Sequence, residues 1–144
     1  MMPNEFTWPV RVYYEDTDAG GVVFYANYLK YMERARTEWL RHLGIGQTRL
    51  RQTQGVIFAV RSVTLDYLRP ARLDDRLQVS ARCLDVRRAS LIIGHDIHCL
   101  RENDTPELLN RGQVKIACLD AETFAPRPIP HPIVAALTAG DAAP

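Results

Sequence analysis

The chain has 144 residues, a formal net charge of +1 and 47% apolar side chains, which suits one domain with a real core and excludes a disordered tail. A balanced charge also argues against a general nucleic-acid binder, which would carry a basic face and a high pI. The 16 arginines against two lysines, Lys30 and Lys115, fit biased codon usage, although Arg forks also suit phosphate ligands.

Residues 1–8 lack the basic-then-apolar pattern of a secretory signal. Residues 9–14 alternate, with Val10, Val12 and Tyr14 on one face, and predict a first strand. The carboxylates and paired glycines of Glu15-Asp16-Thr17-Asp18-Ala19-Gly20-Gly21 then break the pattern. From about residue 26 to 43 the period turns helical. Tyr28, Met32, Ala35, Trp39 and Leu43 form the stripe, widened by Leu29, Tyr31 and Leu40. Asn27 is the expected N-cap, Arg34 and Glu38 an expected ion pair, and Gly44 the stop. Arg36 resists the pattern, because it projects among Leu29, Leu40 and Leu43. A cation there needs a carboxylate or carbonyl partner, Glu33 for instance, or must reach outward.

A short helix is expected over residues 48–54, ending at Gly55. Residues 56–68 form a long strand whose apolar positions change from even (Val56, Phe58, Val60) to odd (Val63, Leu65, Tyr67), which predicts a β-bulge near Arg61-Ser62. A turn over residues 70–75 leads to a third strand over 77–86. Arg87-Arg88-Ala89 links it to a fourth, over 90–100. A loop over 102–106 precedes a fifth strand over 108–119, with Val114, Ile116 and Cys118 on one face. Prolines 126, 128, 130 and 132 mark an extended tail with a terminal turn over 132–137 and a mobile end. Cys83, Cys99 and Cys118 read as buried thiols in a reducing compartment. His95 and His98 fall on opposite faces of one strand, which is poor metal geometry. No stretch is apolar and long enough to cross a bilayer. One long helix against consecutive strands is an α+β arrangement whose exposed edges favour a homo-oligomer.

Asp16 and Asp18 sit on a Gly-rich bend just before a helix start, where unpaired N–H donors and the positive dipole end lie. A carboxylate beside such donors suits acyl transfer: one attacks or activates water, the other stabilises the oxyanion. Taken alone, the same residues are more often a turn and a cap.

The run Tyr13-Tyr14-Glu15-Asp16-Thr17-Asp18-Ala19-Gly20-Gly21-Val22-Val23-Phe24-Tyr25-Ala26-Asn27-Tyr28, followed by Glu33-Arg34-Ala35-Arg36-Thr37-Glu38, closely resembles the 4-hydroxybenzoyl-CoA thioesterase family. Leu65-Asp66-Tyr67-Leu68-Arg69-Pro70-Ala71-Arg72-Leu73-Asp74-Asp75 continues the likeness, which is greatest to the bacterial tol-pal-associated acyl-CoA thioesterase branch. It covers about residues 8–135 of a single domain over 1–144. The resemblance implies a hotdog fold: a five-stranded antiparallel sheet wrapped around one long central helix, with active sites between paired protomers. It implies Asp18 as the catalytic carboxylate, as nucleophile or general base, and the Tyr25 N–H as the donor that polarises the thioester carbonyl. Many members of the tol-pal branch have histidine where this chain has Tyr25.

Val22, Phe24, Phe58 and Tyr28 are expected at the acyl group, for which plain core is the competing reading, and Gly20 and Gly21 are expected to let the backbone approach the substrate closely. Arg87, Arg88 and Ser90 are expected at the nucleotide end of coenzyme A, for which a solvated turn is the competing reading. The implied activity is hydrolysis of a short-chain or aromatic acyl-CoA without metal or cofactor. Acyl carrier protein is an alternative carrier, and a dimer of dimers is the expected assembly. The implied location is cytoplasmic or peripheral to the inner membrane. The competing function is a non-catalytic acyl-thioester-binding or scaffold module of a cell-envelope or lipid-synthesis complex. A dehydratase of the same fold would need a histidine near Asp18, and none is there.

Overall fold

The computed structural model describes residues 5–102 and 105–139. Five strands, β1 (Phe6–Arg11), β2 (Val56–Tyr67), β3 (Arg76–Val86), β4 (Ser90–Leu100) and β5 (Pro106–Asp120), pair antiparallel in the order β1-β3-β4-β5-β2. The helices are α1 (Asn27–His42), α2 (Gln47–Gln54) and α3 (His131–Thr138). The α1 stripe expected from sequence is buried at Tyr28, Tyr31, Met32, Ala35, Trp39 and Leu40, which pack against inward residues such as Val79, Ile93, Ile97 and Val114, whereas Leu29 is exposed and Leu43 only half-buried. Each large aliphatic side chain among them that is withdrawn from water contributes roughly 1.5–3 kcal/mol. This is the hotdog arrangement that the resemblance implies.

The Met32 side chain of α1 reaches the sheet over Gly112 of β5. A Cβ there would lie 2.9 Å from Leu65 Cδ2 and 3.1 Å from Met32 Cε. Glycine at this point leaves room for the Met32 and Leu65 side-chain tips.

The expected bulge in β2 is present, as a register shift between Val60 and Ser62 against β5. It keeps the even residues of the first half and the odd residues of the second half on related faces. A second shift, between Cys83 and Asp85 of β3, was not foreseen. Gly55 (φ +68°) and Gly44 (φ +83°) end α2 and α1 in the left-handed conformation that glycine adopts without strain.

Several local expectations need correction. The first strand lies earlier than residues 9–14, and Tyr14 does not share the face of Val10 and Val12; it is exposed on a 3-10 turn (Tyr14–Asp16). That turn is closed by the Asp16 carboxylate, which accepts from the Tyr13 N–H at 2.8 Å. Asn27 is the first helical residue and Ala26 the N-cap, without a side-chain cap. Glu38 pairs with Arg41, while the Arg34 guanidinium sits 5.9 Å from the Tyr31 ring centroid. Cys99 and Cys118 are buried free thiols, but Cys83 is only half-buried. The terminal turn is a full helix, α3. The expected mobile chain end after residue 139, and residues 103–104 of the loop before β5, lie outside the described residues.

Candidate active site

Residues 17–23 form a tight hairpin between β1 and α1. Thr17 and Val23 bridge antiparallel, the Asp18 N–H donates to Val22 O at 2.9 Å, and the Gly21 N–H donates to Asp18 O at 3.0 Å. Gly21, at φ +79°, makes the reversal possible. Asp18 Oδ1 accepts from the Gly20 N–H at 2.8 Å, which fixes the carboxylate at the exposed tip. One backbone oxygen holds this hairpin to the helix start. Asp16 O accepts from both the Phe24 N–H and Asn27 Nδ2, each at 2.9 Å. Asn27 is thus a donor reaching back, the reverse of the capping role its position suggests.

The turn into α1 leaves a donor free. The Asn27 N–H bonds Phe24 O at 2.8 Å, whereas among the described residues no backbone carbonyl takes the Tyr25 N–H. Tyr25 itself is held from the other side: the Tyr67 hydroxyl donates to Tyr25 O at 3.1 Å. The Tyr25 ring stands edge-on to Tyr67 and packs at 4.7 Å on Phe24. A cavity of about 280 Å³ opens here, lined by Val23, Tyr25, Tyr28, Tyr67 and Leu68. Tyr28 is buried and accepts from the Ala71 N–H at 3.0 Å. Burial pushes its phenol up, as it does for Tyr67. Tyr67 lay inside the recognised motif without an assigned role; only the fold shows what its hydroxyl does.

Within one chain the other expected site residues are not all brought together. Gly20, Gly21, Val22 and Phe24 belong to the hairpin or its exit, with Val22 bridged to Arg72. Phe58 instead lines a different cavity, of about 190 Å³, beside Arg36 and Thr37. Arg87, Arg88 and Ser90 sit at the β3–β4 turn. The Asp18 hairpin, bridged to Arg72, lies by the other end of β3. Eleven residues of β3 separate the two ends, roughly 33 Å at about 3.3 Å per residue. Arg87 is exposed and bonded to Asp85 at 2.9 Å, and this contact pulls the Asp85 carboxyl below its usual range. The Arg88 carbonyl accepts from the Ile129 N–H at 2.8 Å. Ser90 edges a groove with Ala59, Arg61 and Phe124.

Among the described residues no group of three His, Cys, Asp or Glu side chains could hold a metal ion, and no helix is long and apolar enough to cross a membrane.

The sequence and the fold are both similar to those of known proteins. Residues 20–105 match the family described as the thioesterase superfamily. The chain is 46% identical over 130 residues to the acyl-CoA thioester hydrolase YbgC of Escherichia coli, covering 90% of this chain and 93% of that one. It is 42% identical over 136 residues to the acyl-CoA thioesterase YbgC of Haemophilus influenzae, covering 94% and 96%. The crystal structure of a probable thioesterase from Bartonella henselae superposes with a TM-score of 0.80 at 32% identity, covering 88% of this chain and 99% of that one. The 4-hydroxybenzoyl-CoA thioesterase of Pseudomonas sp. strain CBS-3, at 20% identity and a TM-score of 0.84 over 92% and 98%, shares the fold.

Proposed function

This chain belongs to the thioesterase superfamily, and from that premise we propose that it hydrolyses acyl-coenzyme A through Asp18 and the Tyr25 N–H. The observation that carries the reading is the double bond of Asp16 O to Phe24 and Asn27, which ties the Asp18 hairpin to the helix start. A thioester carbonyl directed at the Tyr25 N–H would find a preorganised donor and the positive end of α1. The Asp18 carboxylate would attack the carbonyl carbon or take a proton from water, and the coenzyme A thiol would leave. The Tyr67 hydroxyl holds the Tyr25 peptide in place. No metal or further cofactor enters this scheme. Tyr25 supplies only a main-chain donor, so the histidine found in many relatives is not required for it.

A second copy completes the site. The free edge of β2 exposes Val60, Val63 and Tyr67, with Leu68 and Tyr25 beside them. An unpaired edge with this much apolar surface suits antiparallel pairing with itself. Such pairing sets residues 56–60 of one copy beside residues 62–67 of the other. It therefore brings the Arg87–Arg88 end of one protomer toward the Asp18 end of its mate, across the distance that separates them within one chain. The cationic turn could then hold coenzyme A phosphates. A monomer by light scattering at catalytic concentrations would overturn this assembly.

The activity test is free-thiol release from short-chain, long-chain and aromatic acyl-CoAs. Silence of the native protein on all three, and on acyl carrier protein thioesters, would favour a non-catalytic binding module. Alanine at Arg87 and Arg88 together should raise KM for acyl-CoA several-fold more than for a truncated pantetheine thioester. Equal effects on both substrates would remove the phosphate contact.

A further inference from the structure

The cavity of about 190 Å³ between α1 and the sheet has a charged floor. Its walls are apolar, with Leu40, Phe58, Leu91, Ile93 and Ile116 among them, and Arg36 projects from the helix to line it. Arg36 is only 8% exposed. Its Nη1 donates to His95 Nε2 at 3.1 Å, and His95 Nδ1–H donates to Ser80 O at 2.8 Å. His95 is therefore neutral and brings no negative charge. No carboxylate lies within ion-pair distance of Arg36 among the described residues, and no other hydrogen bond of the guanidinium is formed among them. Glu33 also lines the cavity, and its charge opposes the effect of burial on Arg36; it is exposed, however, and forms no ion pair with the guanidinium, so water screens that attraction.

A buried cation with spare donors is costly unless an acceptor meets it. A cavity of about 190 Å³ has room for roughly six waters, at ~30 Å³ each, or for a short carbon chain. Ala59 and Val60 of the free β2 edge form one side of it, so the copy paired along β2 would present its helix start there. Along α1 alone, eleven residues separate Tyr25 from Arg36, about 16 Å at 1.5 Å per residue, too far for a short acyl group.

We infer that this cavity receives the far end of the acyl group from the thioester site of the second copy, and that Arg36 selects acyl groups ending in an anionic acceptor, a carboxylate above all. The inference rests on the thioesterase reading for its substrate, but the cavity can be probed without catalysis. A carboxylate in the cavity accepts two charge-assisted bonds from the Arg36 fork, while the methylenes contact Phe58 and Ile93.

The test pairs free hexanoate with hexanamide, by calorimetry or ligand-observed NMR on the native protein. Hexanoate should bind at least ~10-fold more tightly than the amide, in keeping with charge-assisted bonding. Arg36→Gln should bring the two ligands level, and Arg36→Lys should keep part of the difference. In turnover, adipoyl-CoA should exceed hexanoyl-CoA in kcat/KM by about 10-fold, and Arg36→Gln should abolish that ratio. Equal binding of hexanoate and hexanamide by native protein overturns the inference, even if Arg36→Gln does not fold. Tight, charge-selective binding with no thioester hydrolysed would keep the cavity assignment and sink the catalytic one.

Discussion

Replacing Asp18 with asparagine should lower kcat by at least ~100-fold, the usual scale for loss of a general base or nucleophile. The substitution suits the geometry. Asparagine can keep an oxygen where Asp18 Oδ1 accepts from the Gly20 N–H, so the hairpin retains its tip. The bonds that tie residues 17–23 to α1 come from the backbone and from Asn27, and the substitution touches none of them. Asp18 is exposed, so its replacement should leave the thermal midpoint almost unchanged. Only the charge and the ability to attack or take a proton are lost. Thiol release measured beside a melting curve separates catalysis from stability, and near-native turnover would remove Asp18 from the mechanism.

Acid should weaken the fold through His95. Burial first, and then the Arg36 charge, hold its pKa down at about 3 against an ordinary 6.5, with the Ser80 carbonyl bond and the Asp96 charge opposing. The unfolded chain therefore binds a proton between these values that the folded chain refuses. Stability from this group is fully present above 6.5 and is lost as pH falls toward 3. From pH 6.5 to pH 4 the loss is on the order of 3 kcal/mol, at about 1.4 kcal/mol per unit once the unfolded histidine is protonated. His95→Gln keeps a donor and an acceptor but cannot titrate. Urea unfolding at the two pH values should show a shallower dependence in that variant than in the native chain. Parallel dependences would show that His95 takes no part in acid unfolding.

Elements governed by short-range pattern were legible in the sequence. The α1 stripe, the Gly44 and Gly55 stops and the β2 bulge are all consequences of where apolar residues and glycines fall. Tyr14 misled because alternation continued by chance into a segment that the Asp16 carboxylate folds into a 3-10 turn. The candidate site was legible only as far as one stretch of chain reaches. Asp18, Gly20, Gly21 and Tyr25 are close in sequence and share one hairpin and its exit. Tyr67 reaches Tyr25 from 42 residues away, and His95 reaches Arg36 from 59 residues away; no local period encodes either contact. Arg36 announced itself as a cation in an apolar stripe, but its partner proved to be a neutral ring, not the carboxylate or carbonyl that charge alone suggests. The separation of Arg87 and Arg88 from Asp18 by the length of β3 emerges only once the strands are placed.

The glycine under Met32 is a size limit built into β5. A Cβ at Gly112 would stand 2.9 Å from Leu65 Cδ2 and 3.1 Å from Met32 Cε, so any larger residue must displace the tips of both side chains. Met32 is fully buried, and a close-packed interior gives a displaced tip little room to move. The sheet therefore admits no growth beneath the middle of the helix.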